Sequence, residues 1–169
     1  MFVSASNDRS FRVWDTRKPK SLVHTERTKE EIIDALFSPY GSTETDVGQS
    51  SSYLATCNFS EEISFYETRM WKMVKQIKYK TEVSHFAWDN TGNGFLVADA
   101  IGNISVFNGQ TLKQPPLTVL SGIHNNIRCE AVAFHPSNEY FVTGGHDSLI
   151  AFWDLDELLC SGTLSANHF

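Results

Sequence analysis

The sequence predicts an all-β protein built from a repeated unit of four short antiparallel strands. Three observations support this fold class. Four segments share one pattern, an alternating strand that ends in an aromatic and a polar residue, and they recur roughly 40 to 50 residues apart, as expected of β-repeat proteins. Between them lies a second series of apolar strands, each followed by a turn that contains Pro, Asn or Gly. No stretch sustains a helical period.

Each unit is expected to contain four strands in a fixed order. The first is an apolar strand of the second series, and these strands end at Phe37, Trp88 and Phe134. A short β-branched or aromatic run follows, and then comes the aromatic-ending strand, which closes at Trp14, Tyr66, Phe107 and Trp153. A fourth strand comes next, most clearly at residues 73–77 and 117–120. The first unit holds three strands and each of three more holds four, with limits near residues 1–28, 29–80, 81–121 and 122–169.

The second unit is longer than the others because of one polar segment. Ser42 to Ser52, with the sequence STETDVGQSSS, is acidic and rich in Ser and Thr. Such a composition is typical of a solvated connection between strands. The segment is therefore predicted to be a surface insertion, whose role the sequence leaves open.

Polar residues recur at matched positions in the first and last units. The last unit carries Gly122-Ile123-His124, followed by Thr143, Asp147 and Trp153-Asp154, and the first carries Ser4, Asp8 and Trp14-Asp15 at the same mutual spacings. These repeats resemble the WD-repeat β-propeller family over essentially the whole chain. The resemblance implies a structural hydrogen-bonded set, which would consist of His124, Thr143, Asp147 and Trp153 in the last unit and Ser4, Asp8 and Trp14 in the first.

The logic of this set is independent of the resemblance, because a buried Trp N–H needs an acceptor and a buried Asp needs donors. In the two middle units the set is incomplete. Ser60 and Ile101 stand at the Asp position, and Tyr66 and Phe107 replace the Trp. We therefore expect the middle units to depend on apolar packing and to be less regular than the other two.

The unit count also bears on the chain length of 169 residues. A blade of this family takes about 40–45 residues and a closed ring usually has about seven blades, which requires roughly 300 residues. The chain is thus expected to form an incomplete propeller of about 3.75 blades. Open blade faces expose apolar surface, so the isolated chain is expected to self-associate, most simply as two copies that approximate one ring.

Two segments share features with one branch of the family that the generic repeat does not explain. They resemble the branch found in THO/TREX mRNA-export complexes. They are KYKTEVSHFAWDNTGNGFLVADAIGNISVF at residues 78–107 and NEYFVTGGHDSLIAFWDLDELLC at residues 138–160. The resemblance implies a nuclear, non-catalytic scaffold that contacts other protein subunits, with an indirect or weak RNA association compatible with that role. The alternative, a peptide- or substrate-recognition propeller such as a histone-tail reader or ubiquitin-ligase receptor, stays open.

Composition narrows the class of function further. With 20 acidic and 14 basic residues the net charge is -6, which disfavours a nucleic-acid surface of the usual basic kind. Cys57, Cys129 and Cys160 are widely spaced, as expected of reduced thiols rather than of disulfides or a zinc site. The six histidines show no metal-ligand spacing, and no nucleophile–base pattern stands out. We expect no enzyme activity, no metal and no cofactor.

Four residues are candidates for contacts with partners. Asn7 and His146 each precede the Asp position of a repeat, which in the family lies on the face where partners bind. Arg69 and Trp71 lie in the turn that enters an outer strand, where no repeat position demands an aromatic residue. Trp71 has two interpretations: an interface anchor of the kind that Trp, Met and Arg form, or a cover for the blade edge.

Overall fold

The computed structural model describes residues 1–39, 43–44, 50–122 and 124–165. Over these residues the regular secondary structure consists of strands, as the alternation of apolar and polar residues predicts. The strands are β1 (Phe2–Ser6), β2 (Ser10–Trp14), β3 (Leu22–Arg27), β4 (Ile32–Phe37), β5 (Thr43–Glu44), β6 (Ser50–Ser51), β7 (Tyr53–Asn58), β8 (Glu62–Glu67), β9 (Lys72–Lys78), β10 (Val83–Trp88), β11 (Gly94–Asp99), β12 (Ile104–Asn108), β13 (Thr118–Leu120), β14 (Cys129–Phe134), β15 (Tyr140–Gly145), β16 (Leu149–Asp154) and β17 (Cys160–Ser165).

These strands form consecutive antiparallel sheets, which we call blades. The first blade is β1-β2-β3, the second β4-β7-β8-β9, the third β10-β11-β12-β13 and the fourth β14-β15-β16-β17. Strands that are consecutive in the chain are neighbours in each sheet, except that β4 and β7 are joined by the longer connection that carries β5 and β6. Within the described residues the fold is therefore an incomplete β-propeller with three strands in one blade and four in each of the others, which confirms the predicted fold class.

The predicted insertion is described only in part. β5 and β6 pair with each other as a two-stranded ribbon on the connection between β4 and β7. Of the segment Ser42 to Ser52, residues 42 and 45–49 lie outside the described residues. Residues 166–169, which include His168, lie outside them as well.

The same strand register recurs in all four blades. Near the ends of β2, β8, β12 and β16, an aromatic residue faces one residue of the preceding strand. The pairs are Phe2–Trp14, Leu54–Tyr66, Phe95–Phe107 and Phe141–Trp153. The first strand of each four-stranded blade has one register shift near its start, between Ile32 and Asp34, Val83 and His85, and Cys129 and Ala131. A further shift, next to the last strand of the blade, occurs in the first, second and fourth blades, between Val13 and Trp14, Phe65 and Tyr66, and Phe152 and Trp153. The expectation that the middle blades are less regular is therefore wrong.

The hydrophobic core lies between successive blades. Side chains alternate along each strand, so one face of a blade packs on the preceding blade and the other on the next. The largest cluster joins the second and third blades, where Phe65, Phe86, Phe95 and Phe107 are at most 1% exposed. The Phe65 and Phe95 rings contact at 5.5 Å between centroids, edge to face. Smaller clusters join the first blade to the second and the third to the fourth.

Two blade faces have no neighbouring blade within the described residues. On the first blade this face carries Phe2, which is 50% exposed and stacks on Trp14 with a centroid distance of 6.0 Å. On the fourth blade it carries Phe152, Ile150 and Leu164, of which the last two are 47% and 57% exposed. No helix in the described part of the chain is long and apolar enough to cross a membrane.

Candidate functional site

The tight turn between the second and third strands gathers the polar side chains of the fourth blade. His124 is fully buried, and its Nδ1 lies 3.1 Å from both carboxylate oxygens of Asp147. Its Nε2 lies 2.8 Å from the Thr143 hydroxyl, and the Trp153 indole donates to that same hydroxyl at 3.0 Å. The structure thus brings all four predicted residues into one connected set.

One hydrogen-bond direction satisfies the whole chain of groups. An indole N–H can only donate and a carboxylate can only accept. The Trp153 N–H therefore donates to Thr143, the Thr143 hydroxyl donates to Nε2 of His124, and Nδ1–H of His124 donates to Asp147. In this order the Nδ1 atom of His124 donates and its Nε2 atom accepts. Asp147 in turn accepts from the backbone N–H of Leu149 at 3.1 Å, which holds the turn.

Gly145 makes room for the imidazole. A Cβ at this position would lie 2.6 Å from Nδ1 of His124 and 2.8 Å from Oδ1 of Asp147, closer than real Cβ contacts allow. A Cβ on the neighbouring Gly144 would meet nothing within 4 Å. The glycine at 145 is thus part of the set, because the histidine occupies the volume that a side chain there would fill.

The first blade holds the same turn with a hydroxyl and a carboxylate. The Trp14 indole donates to the Ser4 hydroxyl at 3.0 Å, which corresponds to the Trp153–Thr143 bond. Asp8 accepts from the Ser10 backbone N–H at 3.0 Å and from the Ser10 hydroxyl at 2.6 Å, and Arg12 donates to it at 2.8 Å. These partners, first the Ser10 hydroxyl and then the Arg12 guanidinium, lower the pKa of Asp8 to about 2.

The middle blades fix the same turn with a side chain two residues earlier. Asn58 and Asp99 are in register with Gly145, since each faces the start of the blade's first strand. Asn58 Oδ1 accepts from the backbone N–H groups of Ser60 and Glu62 at 3.0 and 3.2 Å. Asp99 Oδ1 accepts from those of Ile101 and Asn103 at 3.1 and 2.8 Å. A polar side chain therefore still holds the turn in the middle blades, but it stands two residues earlier in the chain.

Asp99 is the more deeply buried of these two anchors. It is 4% exposed, and its second carboxylate oxygen accepts from the Thr81 hydroxyl at 3.0 Å and from the Asn103 amide at 3.1 Å. The search for Asp at the repeat position missed both anchors. The signal that could have found them is an Asx residue at the start of a turn, whose side chain accepts from the backbone two residues on.

Asn7 and His146 lie in equivalent turns at the same edge of the first and fourth blades. Asn7 is exposed. The His146 side chain is 61% exposed and its Nε2 lies 3.0 Å from Oε1 of Glu130. Arg128 bridges Glu130 and Glu82, the latter at 2.7 Å, so a charged cluster spans this edge of the third and fourth blades.

Trp71 belongs to a different place and a different environment. It is half-buried, it packs on the cluster between the first and second blades, and it stacks on His24 with centroids 4.9 Å apart and planes 9° apart. The His24 ring of the neighbouring blade covers one face of the Trp71 indole, which is the environment expected of a blade-edge cover. A contact between Trp71 and a partner stays a prediction. Arg69 lies in the same turn, with an exposed side chain.

Two of the cysteine thiols lie in surroundings that keep them protonated. Cys57 and Cys129 are buried, and burial raises the pKa of each thiol, to about 12 and about 11 respectively. A thiol with so high a pKa stays protonated and is a poor nucleophile or metal ligand. Among the described residues no group of three His, Cys, Asp or Glu side chains could hold a metal ion.

The chain is similar to known proteins over nearly its whole length. Residues 114–154, from just before β13 to the end of β16, match the family described as WD domain, G-beta repeat. THO complex subunit 3 of Arabidopsis thaliana is 28% identical over 165 residues, which cover 98% of this chain and 48% of that protein. WD repeat-containing protein AAC3 of Dictyostelium discoideum is 26% identical over 173 residues, which cover 100% of this chain and 34% of that protein.

The mRNA export factor GLE2 of Chaetomium thermophilum is 23% identical over 175 residues, which cover 92% of this chain and 43% of that protein. The chain thus spans about half the length, or less, of the curated relatives it matches.

Proposed function

This chain has a WD-repeat β-propeller fold, and from that premise we propose that it acts as a non-catalytic scaffold subunit in a THO/TREX-like assembly for transcription-coupled mRNA processing and nuclear export. WD repeats mediate protein interactions, and the proposal assigns that role to the blade edges and turns. The observation that carries it is the similarity to THO complex subunit 3 over 98% of the chain. The similarity to an mRNA export factor supports the same assignment.

Rigid display is the mechanism that we propose. The side chains that hold the turns are engaged in bonds of their own: His124 uses both ring nitrogens, and Asp99 uses both carboxylate oxygens. A turn held in this way presents its outward residues in one geometry, which lowers the entropic cost of binding a partner. The blade limits near residues 1–28, 29–80, 81–121 and 122–169 remain part of this proposal.

The proposed partners are other protein subunits in the nucleus, and any association with RNA is indirect or weak. The candidate contact edge carries Asn7 and His146, together with the cluster formed by Arg128, Glu130 and Glu82. Both signs of charge alternate along this cluster, which suits a protein surface better than a polyphosphate.

Affinity purification of the full-length protein from nuclei tests the assignment. We expect the helical THO subunits and export factors to co-purify. The variant His146→Glu, which places a like charge beside Glu130, should reduce their recovery. Glu157→Arg is the matched control, since this exposed residue lies in the β16–β17 turn at the opposite edge of the same blade. Absence of THO subunits from the wild-type eluate would contradict the proposal.

A peptide reader remains the second candidate function, but its expected binding surface is weak. The residues equivalent to Asn7 and His146 in the middle blades are Phe59 and Ala100, and neither supplies charge. Recovery of histones or of ubiquitin-ligase subunits in place of THO subunits would favour this reader role.

Self-association of the isolated chain is a separate proposal. It is supported by the two open faces, which expose Phe2 on the first blade and Ile150 and Leu164 on the fourth. Two copies can cover each other's open faces and so remove this apolar area from water. Light scattering should give a mass near twice 19.1 kDa, whereas a monodisperse monomer would contradict the proposal.

A further inference from the structure

A groove of about 770 Å³ lies between the last strand of the second blade and the last two strands of the third. Its walls are the stretch 78–81 that leads from β9 to β10, the turn between β11 and β12, and the strands β12 and β13 with their connection. The apolar residues that line it are Tyr79, Ile101, Phe107, Pro115, Pro116 and Val119. Its volume falls within the range of sites that hold a small ligand or a few side chains.

The walls of this groove are tied to each other. The Gln114 side-chain amide donates to the Lys78 carbonyl at 2.7 Å, and the Thr81 hydroxyl donates to Asp99 at 3.0 Å. Both bonds join the stretch 78–81 of one blade to the next blade. The groove is thus already formed without an occupant, which lowers the entropic cost of binding one.

Part of the apolar lining of the groove is open to water. Ile101 is 45% exposed and Val119 is 49% exposed. Ile101 stands where the fourth blade carries Asp147, but here Asp99 holds the turn by accepting from the Ile101 backbone N–H at 3.1 Å, so the Ile101 side chain lines the groove. Apolar side chains that are exposed together in a concave site are typical of a surface that another molecule covers.

The accessible charges that line the groove are positive. Lys78 and Lys80 are exposed, whereas the acid among the lining residues, Asp99, is buried and accepts hydrogen bonds at both carboxylate oxygens. Lys78 pairs with Glu62 at 3.4 Å, but the Lys78 side chain is 79% exposed, so this pair is weak. Both ammonium groups are therefore available to an anionic partner.

Two more lysines stand beside the groove and repel each other. The Lys75 ammonium donates to the Thr111 carbonyl at 2.7 Å, in the connection from β12 to β13 that also carries Lys113. Burial and then the charge of Lys113 lower the pKa of Lys75. Since the whole chain has a net charge of -6, this positive charge is a local property of one surface, and carboxylates placed beside it would relieve the repulsion.

We propose that this groove docks a short acidic segment of a partner protein, in which one aromatic or aliphatic side chain fills the apolar part and flanking carboxylates pair with Lys78 and Lys80. The aliphatic contacts of Ile101 and Val119 favour a peptide over RNA, and the negative net charge opposes the approach of a polyphosphate more than that of a peptide with a few charges. The inference deepens the proposed scaffold role and rests on it only for the occupant being a protein.

Blocked pentapeptides provide the probe. The full-length protein, labelled at Ile and Val methyl groups, is titrated by NMR with acetyl-Glu-Asp-Phe-Asp-Glu-amide and with three analogues. One analogue replaces Phe by Ala, one replaces the acids by their amides, and one replaces the acids by Lys. We expect the Ile101 and Val119 methyl signals to shift, and the parent peptide to bind about tenfold more tightly than the Ala analogue and about fivefold more tightly than the amide analogue.

The Lys analogue should not bind, because its charges meet lysines in the groove. The absence of any shift, equal binding of the parent and amide peptides, or equal binding of the parent and Ala peptides would overturn the proposal. Octa-uridylate RNA is titrated in parallel, and if it shifts the same methyl signals at lower concentration than the parent peptide, the groove serves RNA and the proposal is wrong.

Charge reversal locates the carboxylate contacts. The double variant Lys78→Glu/Lys80→Glu should weaken binding of the parent peptide at least about tenfold, because it replaces attraction by repulsion. Lys18→Glu/Lys20→Glu is the matched control, since these exposed lysines lie in the β2–β3 turn and their reversal changes the net charge equally. Equal weakening in both double variants would mean that net charge, and not the groove, governs binding.

An isosteric change tests the apolar contact. Val119→Thr places a hydroxyl in the groove without changing the shape of the side chain, and it should weaken binding of the parent peptide about two- to threefold. Val74→Thr is the matched control, because Val74 is 51% exposed on β9 and does not line the groove. Both variants should keep the wild-type melting temperature, and normal binding by Val119→Thr would contradict the proposed apolar contact.

The outcomes separate this inference from the proposed function. If THO subunits co-purify with the protein while the acidic peptide fails to bind, only the groove is wrongly assigned. If the peptide binds with the expected selectivity while THO subunits do not co-purify, the groove stands and the assembly is wrongly assigned.

Discussion

The fourth blade and the two middle blades hold the same turn by two arrangements that exclude each other. In the fourth blade a glycine at 145 admits the His124 ring, which connects Asp147 to Thr143. In the second and third blades a side chain at that register position, Asn58 or Asp99, accepts directly from the turn's N–H groups. A side chain and an imidazole compete for one volume, so each of these three blades uses one or the other.

This difference shows that a blade can lack the sequence motif of the repeat and still keep its strand pairing. All four blades keep the same pairing of second and third strands. What differs is how the polar groups are satisfied, and whether any group is left over. In the second blade Thr56 keeps the register position of Thr143, but neither an indole N–H nor a histidine bonds its hydroxyl within the described residues.

The largest expected difference in stability between the blades comes from His124. His124→Ala should lower the free energy of unfolding by about 3 kcal/mol, because it removes a fully buried ring and the bonds that this ring makes to Thr143 and Asp147. Lys78→Ala, at the equivalent position five residues before the bulged strand of the third blade, removes only an exposed ion pair with Glu62 and should cost less than about 1 kcal/mol. Chemical denaturation measures both, and equal costs would show that the histidine set has no special weight.

The glycine that admits the ring gives the next largest effect. Gly145→Ala should cost about 2 kcal/mol, because its Cβ would lie 2.6 Å from the imidazole and force the set apart. Gly144→Ala is the control on the neighbouring residue, where a Cβ meets nothing within 4 Å, and it should change stability by less than about 0.5 kcal/mol. Thermal unfolding of the two variants makes the comparison, which fails if Gly144→Ala is the more harmful.

The blade architecture could be derived from the sequence because it depends on periodic signals. Strand alternation and the aromatic at each third-strand end are local patterns, and they predicted the number of blades and strands. The set of His124, Thr143, Asp147 and Trp153 was also accessible, because the resemblance to the WD-repeat family implies that residues at these positions bond each other. The bonds themselves, including the tautomer order from Trp153 to Asp147, require coordinates.

The features that sequence reasoning missed depend on contacts between blades or on a shifted position. Asn58 and Asp99 carry the turn two residues before the position where an Asp was sought, so their absence from the pattern suggested irregular blades. The environment of Trp71 is set by His24, which lies in another blade and far away in the chain. Unpaired hydroxyls leave no trace in a sequence at all, since pairing is decided by the groups that the fold brings near.

The paired and unpaired threonines allow a direct comparison with one substitution. Thr143→Val should cost about 1–2 kcal/mol, because it leaves the Trp153 N–H and Nε2 of His124 without a partner. Thr56→Val, in register with it, should have an effect near zero, because its hydroxyl has no bond to lose within the described structure. Denaturation curves of the two variants give this difference, and an equal loss would mean that Thr56 is paired in solution.

The smallest expected effect concerns the first blade, where Asp8 takes the place of Asp147 without a histidine. Its folded pKa of about 2 lies below the ordinary value of 3.8, because the Ser10 hydroxyl and then Arg12 stabilise the carboxylate. Its contribution to stability is therefore complete above about pH 4 and is lost as the pH falls toward 2. The melting-temperature advantage of wild type over Asp8→Asn should be small at pH 6, because the Asp8 carboxylate and the Arg12 guanidinium are both partly exposed to solvent, and it should shrink between pH 4 and pH 2. Asp156→Asn, an exposed carboxyl without a cation or hydroxyl partner among the described residues, is the control. High salt should weaken the Arg12 part and spare the Ser10 bond, so an advantage abolished by salt would mean that the ion pair, and not the hydroxyl, holds this turn.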